Sequence, residues 1–456
     1  MLMKEFSSAE FDSATSLCKI IQRAGYQAVF TGGCVRDMLL NKIFNDIDIA
    51  TDCPEDELID ILEHNQIKTK SVGKAFGVTL ALVGNHLTGH FFEIARFRKD
   101  INCNGRHPEQ VHFCSMEEDA LRRDFTVNAV FYDPVADKYH DFVNGIEDIK
   151  NKKLRFVGNA VDRILEDYLR LLRYVRFYAK GFKPIKKEHK LVDAYGSELV
   201  RFVSPERIRM ELMEKLFPVL KNTKVIKEFP NLFDYIFDFY PSQLSQTKQS
   251  PRWHPEGDVW THTLRVVDCL LKHQLKTPLL VLATILHDFG KLSTTVFKHE
   301  DKDWHSFGHE KASADIVKEW MTKYKFSNEE IAYVHWIVLN HMKLHYPGLK
   351  KSTLKRLINE GDMLRLRVLA LCDCMGACGD TTEYLEYEER IKAILAEGAN
   401  TKPKAILTGN DLIMAGLKPG PQFSVILTKA YDHQLEDGSV TKAVLLEEAL
   451  RNARGE

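Results

Sequence analysis

Residues 31–52 read TGGCVRDMLLNKIFNDIDIATD. A short apolar run ends at Thr31, two glycines follow, and Arg36 comes about one helical turn later. Asp46 and Asp48 then stand with a single isoleucine between them, at the head of an alternating, β-branched stretch. Alternate residues of a strand share a face, so the two carboxylates point the same way. Like charges held together call for a cation. Mg²⁺ fits, because it takes hard oxygens at about 2.1 Å and shares its shell with phosphates. The glycine turn frees backbone N–H groups for a phosphate, the helix behind it adds its positive end, and Arg36 can fork onto a phosphate oxygen. Two ions about 3.5–4 Å apart on such a pair activate an attacking hydroxyl and steady a leaving pyrophosphate.

The chain has 456 residues, enough for about three domains. Apolar residues make up 44%, which suffices for several cores. The formal charge of −1 excludes a uniformly basic nucleic-acid binder, yet residues 151–230 hold 19 Lys and Arg against 10 Asp and Glu. A basic middle in a neutral chain is a candidate polyanion surface. The opening MLMKEFSSAEFDSATSLCKII mixes acidic with apolar residues and does not read as a signal peptide. No stretch approaches the roughly 18 consecutive apolar residues of a membrane helix. Nine scattered cysteines, an odd number, fit free thiols in a reducing cytoplasm. Cys372, Cys374 and Cys378 lack zinc-knuckle spacing and read as buried small side chains.

Residues 11–25 have helical periodicity, and YQAVFTGG reads as a strand running into a glycine turn. DIDIA, GVTLALVG and HFFEIARFR are strand-like; SMEEDALRRDFTVNAVFYD reads as a helix and then a strand. After Gly158 the periodicity turns helical, and the expectation is helices from there to the end. AVDRILEDYLRLLRYVRFYAKGF reads as one amphipathic helix stopped by glycine, and SPERIRMELMEKLF as a helix opened by Ser204 and Pro205. YPSQLSQTKQSPRWHPEG, polar and containing proline, reads as a linker. The last piece reads as two short helices around a Gly-Pro turn. The class is α+β, with expected divisions at 1–157, 158–245, 246–398 and 399–456.

Four motifs in order, Gly-Gly-x-x-Arg-Asp, D-I-D, RRDFTVNAV at 122–130 and EDYLRLLRYVRF at 166–177, resemble the class II tRNA nucleotidyltransferases and bacterial poly(A) polymerases. The resemblance covers about residues 26–210. It implies a polymerase-beta-type catalytic head followed by an all-α neck and body. It also implies nucleotide contacts at Gly33 and Arg36, metal at Asp46 and Asp48, ribose and phosphate contacts at Arg123 and Asp124, and a third acidic group at Glu93. RKDINCNGRHPEQVHF resembles the family's flexible loop that helps the switch from C to A. It keeps Gly105, Arg106 and Pro108, while Cys103-Asn104 departs from the usual acidic-Gly run.

Asp167 and Arg170, three apart on the expected helix, are neighbours. A carboxylate accepts from an exocyclic amino group and an arginine donates to the adjacent ring nitrogen, which suits cytosine and adenine. Uracil and guanine present a keto oxygen and an N–H instead, and each buried mismatch costs about 1–3 kcal/mol. The resemblance assigns this base-template role to the same pair, with Arg173 and Arg176 as further nucleotide contacts.

Downstream, HPEGDVWTHTLRV supplies His254 and His262, ILHDFGKL supplies His287 and Asp288, SFGHEKAS His309, VLNHMKLH His341, and LALCDCMG Asp373. Over about 254–380 this resembles the all-α HD superfamily of metal-dependent phosphohydrolases. His262, His287, Asp288 and Asp373 match its first metal set. His309 and His341 match positions for a second metal or the phosphate, and Lys291 could steady phosphate charge. Imidazole with hard oxygen suits Ni²⁺, Mn²⁺ or Mg²⁺ over a thiolate zinc site.

The resulting expectation is a cytoplasmic CCA-adding activity on tRNA with CTP and ATP, with no membrane partner. It is joined to phosphohydrolysis of 2′,3′-cyclic or terminal phosphates, whose removal frees the 3′ hydroxyl. The alternatives are a poly(A) polymerase, an enzyme adding only CC or only A, and, from other classes, an HD phosphohydrolase with an RNA-binding head or a non-catalytic RNA-binding scaffold.

Overall fold

The strand that begins at Asp48 runs only to Thr51, and Ile49, Ala50 and Thr51 are all buried. A four-residue strand buried on both faces belongs in the middle of a sheet. The computed structural model of the protein describes residues 8–44, 46–71, 77–84, 89–103, 108–345, 348–396 and 403–454. Its head strands are β1 (Ala28–Thr31), β2 (Asp48–Thr51), β3 (Lys68–Ser71), β4 (Val78–Val83), β5 (His90–Arg96), β6 (Arg98–Cys103), β7 (Pro108–Phe113), β8 (Val130–Asp133) and β9 (Lys138–Asp141). Seven of them form one sheet in the order β3-β4-β5-β2-β1-β8-β9, with β2 parallel to β5 and the other pairs antiparallel.

Register decides the site. Asp48 lies opposite Thr31 on β1 and opposite Glu93 on β5. Thr31 is the last residue of β1, so the Gly32-Gly33 turn and the helix Gly33–Leu39 spring from the sheet beside Asp48. Gly32 has φ +77°, a conformation that costs glycine nothing, and a side chain there would sit 3.4 Å from Asp48 Oδ2. One face of the sheet packs Val29, Ala50, Phe97, Ala129 and Phe131 into a core with Met116 and Ala120.

RKDINCNGRHPEQVHF, expected as a loop, makes an antiparallel hairpin of β6 with β7, Cys103 opposite Pro108. Its Gly105 and Arg106 lie outside the described residues. Helices dominate after residue 157, with two exceptions. β10 (Lys153–Leu154) pairs with β11 (Lys183–Pro184), and β12 (Val296–Lys298) with β13 (Asp303–His305). The long helix expected over AVDRILEDYLRLLRYVRFYAKGF is also broken. One helix spans Ala160–Glu166, Asp167 is extended at φ −154° and ψ 105°, and a second helix spans Leu169–Ala179. The stretch read as a linker is structured: Tyr240–Leu244 is helical, Gln249 and Ser250 are buried, and Ser250 Oγ donates to Asp303. Only Cys372 of the three clustered cysteines is buried; Cys374 is half-buried and Cys378 exposed. The last piece, 407–438, has its two helices, Gly409–Met414 and Gln422–Glu436; a third, Lys442–Arg454, follows, and the three close around Leu412, Ile426 and Leu445.

The chain divides into two compact units. The first comprises Met1–Leu220 and Val225–Ile236, the second Lys221–Lys224 and Phe237–Glu456. In the first, the helix Leu169–Ala179 is fastened to the head by rings. Phe125 lies 5.0 Å from Phe156 and 5.3 Å from Phe177, and Phe156 stacks on Tyr174 at 5.5 Å and 12°. All four are fully buried, and aromatic pairs at such distances add to the area term. Phe156→Ala should lower the unfolding free energy by about 3–5 kcal/mol, read from urea melts. Phe156→Leu should cost about half of that or less.

Candidate active site

Gly33, Arg36, Asp46, Asp48, Arg123, Asp124, Asp167, Arg170, Arg173 and Arg176, ten residues from four separated motifs, all line one cavity of about 870 Å³ in the first unit. Its lining carries ten Lys and Arg against six Asp and Glu, a balance suited to a triphosphate. Four of its cations lay outside the sequence reading: Arg98, Lys180, Arg207 and Lys215. Arg98 opens the stretch that resembles the family's flexible loop; no spacing signal linked the other three to the motifs, because they reach the cavity through tertiary packing.

Asp46 is exposed just before β2, and Asp48 is half-buried at its start. Burial pushes Asp48 up to about 6, with the charges of Asp46 and Glu93 adding to the rise and Arg123 opposing it. Mutual repulsion at a partly desolvated pair is what a divalent cation relieves. Both acids face one cavity and Glu93 sits across the ladder, so this donor set fits hard divalent ions.

The cations are held by the protein. Arg36 forks onto Asp37 at 3.0 and 2.8 Å, donates to Asn128 Oδ1 at 2.6 Å and lies over the Phe177 ring. Arg122 and Arg123 share the buried carboxylate of Asp119, and Arg123 Nη1 also donates to the Asn128 carbonyl. Asp124 is buried and accepts from its neighbour Phe125 N–H, from Asn128 Nδ2 at 3.1 Å and from Arg173 at 2.7 Å. Burial alone would raise its pKa; the Arg173 charge and these hydrogen bonds hold it at about 2. Arg176 pairs with the buried Glu211 at 3.1 Å.

The expected side-by-side pair of Asp167 and Arg170 is not formed. The helix break at Asp167 turns its carboxylate to Arg207, which forks onto it at 3.2 and 2.7 Å. Arg170 is buried and donates to Glu166 at 2.6 Å and to the carbonyls of Arg163 and Arg122. The two residues share the cavity wall and a main-chain bond, Arg170 N–H to the Asp167 carbonyl at 3.0 Å, while their side chains go to other partners.

The second unit gathers the histidines. His287, His309 and His341 each donate Nδ1–H to a backbone carbonyl, of Thr284, Ser306 and Val338, at 2.6–2.7 Å. That bond fixes the tautomer and leaves each Nε2 lone pair facing inward. His262 is oriented by a carboxylate instead: its Nδ1 lies 2.7 Å from Glu256 and its Nε2 2.8 Å from Asp373. Glu256 lay inside the stretch read as a linker and escaped the sequence reading. Four overlapping donor sets result among the described residues: His254 with Glu256 and His262, His262 with His287 and Asp288, His287 with His341 and Asp373, and Asp288 with His309 and His341. His287 Nε2 and both Asp288 oxygens are buried without a hydrogen bond, though Lys291 Nζ stands 2.8 Å from Asp288 Oδ2. Burial, with His287 and His309 beside it, holds His341 well below its usual pKa, so its ring stays an unprotonated donor. Buried orphan donors of nitrogen and oxygen type, with no thiolate among them, fit a divalent cation. His345, also unforeseen, stands 3.2 Å from Asp373 and 3.6 Å from Cys374 Sγ.

Residues 28–155 match the Poly A polymerase head domain and residues 259–376 the HD domain. A CCA-adding enzyme of Levilactobacillus brevis is 28% identical over 428 residues, 92% of either chain. CCA tRNA nucleotidyltransferase 1, mitochondrial, of Danio rerio is 35% identical over 217 residues, 47% of this chain and 49% of that one. The match thus spans about half the length of some curated relatives and nine-tenths of others. In fold, the chain is like the Bacillus stearothermophilus CCA-adding enzyme in complex with CTP, with a TM-score of 0.61 and 21% identity over 98% of this chain and 99% of that one. It is also like the Thermotoga maritima enzyme complexed with tRNA, with a TM-score of 0.58 and 18% identity over 99% and 97%. Among the described residues no helix is long and apolar enough to cross a membrane.

The Asp48 shift has a testable sign. Between its usual 3.8 and about 6 the folded protein keeps a proton that the unfolded chain has released. Stability of the metal-stripped protein should therefore fall as pH rises through that window and level off above it. Burial sets the window, the charges of Asp46 and Glu93 widen it and Arg123 narrows it. Thermal melts at about pH 4.5 and pH 7 should show a smaller drop in Asp48→Asn than in wild type.

Proposed function

We propose that this chain, with its Poly A polymerase head domain and its HD domain, is a CCA-adding tRNA nucleotidyltransferase that builds the 3′ end from CTP and ATP. The observation that carries this reading is the convergence of ten motif residues on one positively lined cavity around Asp46 and Asp48. The relative matched along nine-tenths of the chain is named a CCA-adding enzyme, which favours tRNA ends over poly(A) synthesis.

In this reading Asp46 and Asp48 hold magnesium ions, with Glu93 beside them. Bound there, the ions supply Lewis-acid activation of the 3′ hydroxyl and charge relief for the leaving pyrophosphate. Gly32 and Gly33 keep the backbone side-chain-free next to the metal pair. Arg36 and Arg123 face the phosphate and ribose from fixed positions, and Asp124, Arg173 and Arg176 complete the nucleotide wall. Asp167 presents a carboxylate to the base edge and Arg207 holds that carboxylate in place, while Arg170 braces the wall through Glu166. The basic stretch 151–230 carries the tRNA acceptor arm. The second unit is a phosphohydrolase that clears cyclic or terminal phosphates. His262, His287, Asp288 and Asp373 would hold its cation, with Ni²⁺, Mn²⁺ and Mg²⁺ as candidates, and His309, His341 and Lys291 would face the phosphate. The free thiols are at home in a reducing cytoplasm.

The deciding assay incubates tRNA lacking CCA with each labelled NTP in turn. Ordered incorporation from CTP and then ATP is expected, and incorporation from ATP alone would make the chain a poly(A) or A-adding enzyme. Asp48→Ala should lose at least about 10²-fold in incorporation while staying folded, with an unfolding midpoint no lower than that of wild type at pH 7. Asp167→Ala should raise UTP and GTP use relative to CTP, because about 1–3 kcal/mol of mismatch penalty disappears while the phosphate contacts remain. Binding of tRNA should weaken steeply between 50 and 200 mM salt, in wild type and Asp48→Ala alike, as counterions compete for the basic surface. His287→Ala should lose metal-dependent hydrolysis of 2′,3′-cyclic AMP and keep CCA addition.

A further inference from the structure

A second cavity, of about 570 Å³, opens over the histidine cluster. Its floor includes Lys291, His309, His345 and Asp373. Its mouth is aromatic: Trp253, Trp304 and Phe307 line it. Trp253 is 55% exposed and Phe307 66%, so both rings reach solvent at the mouth. Phe307 is itself stacked on His305, with centroids 5.2 Å apart and planes 14° from parallel. Each ring also carries a cation: Arg252 lies 4.8 Å from Trp253, Lys298 4.7 Å from Phe307 and Lys248 6.0 Å from Trp304.

An inorganic phosphate or sugar phosphate needs the floor and makes no use of the rings. A neutral apolar ligand needs the rings and makes no use of the cations. A nucleobase carrying a phosphate uses both, since every base has a π-face to stack and its phosphate complements the lysine and arginine charges.

Resting on the reading of the second unit as a phosphohydrolase, we propose that its cavity recognises a nucleoside phosphate by its base. The base stacks on Trp253 with Phe307 at its side, and the phosphate is directed toward Lys291 and the histidine cluster. Trp253 and Phe307 are positioning residues: they select nucleotide over other phosphate esters and take no part in bond cleavage.

The chain offers a clean reporter. Its five tryptophans are residues 253, 260, 304, 320 and 336, and none of them lines the head cavity. Tryptophan fluorescence of the full chain is titrated with adenosine 3′-phosphate, with a short oligoribonucleotide ending in a 3′-phosphate, and with ribose 5-phosphate. Saturable quenching by the first two and none by ribose 5-phosphate is expected. Tighter binding of the oligonucleotide would make an RNA end the source, and equal binding a free nucleotide. Phe307→Leu, which keeps every tryptophan, should weaken binding about tenfold, and Trp253→Leu should do so at least as strongly. Equal quenching by ribose 5-phosphate, no saturable quenching, or unchanged affinity in both variants would overturn the proposal. Hydrolysis of adenosine 3′-phosphate with Mn²⁺ is scored in parallel. Binding without hydrolysis leaves base recognition standing and removes the phosphohydrolase reading. Hydrolysis undiminished in both variants at low substrate keeps that reading and overturns base recognition.

Discussion

Asp124 is buried, ionised and shared between two parts of the chain that lie about fifty residues apart. Its carboxylate takes the Phe125 N–H and the Asn128 amide from its own turn and the Arg173 guanidinium from the helix Leu169–Ala179. Asn128 in turn receives Arg36 from the glycine-turn helix. One acid therefore couples the glycine motif, the R-R-D motif and the basic helix. A buried carboxylate is tolerated when every lone pair is used, and removing one partner leaves the remaining charge uncompensated. That constraint explains why the cavity arginines do not float. Arg36, Arg123 and Arg173 are each tied to a protein acceptor, so a nucleotide meets donors whose side-chain freedom is already lost.

The second unit solves the same problem with neutral groups. Three of its histidines have one nitrogen satisfied by a main-chain carbonyl within their own turn, a local arrangement that any helix end can offer. His262 depends instead on a side chain, Glu256, which arrives from the segment preceding its helix. Pre-setting the tautomer removes a choice that each ring would otherwise make when an ion arrives.

Much of this was legible in the residues. β2 and its acid pair follow from alternation, and the glycine turn follows from Gly32, whose φ no other residue would adopt cheaply. The ten head residues and the six His and Asp positions converge as their motif order implied. What escaped shares one cause: it depends on partners distant in sequence. Asp167 and Arg170 have helical spacing, yet Arg207, forty residues on, competes for the Asp167 carboxylate and the helix opens there. The stretch 240–257 has the composition of a linker, but Gln249 is claimed by Lys291 and Glu256 by His262. Lys180, Arg207 and Lys215 belong to the cavity only because their helices are folded onto the head.

The division between the two units carries a consequence for the gene. The chain leaves the first unit after Leu220, returns at Val225 and leaves again after Ile236. Residues 230–236 belong with the earlier helices, where Asn231 and Leu232 bond Asp193, while Thr223, upstream of them, is bound by Asp268. No single peptide bond divides the units without stranding a piece of one of them. An exchange of halves by simple recombination would break hydrogen bonds on one side of the joint or the other.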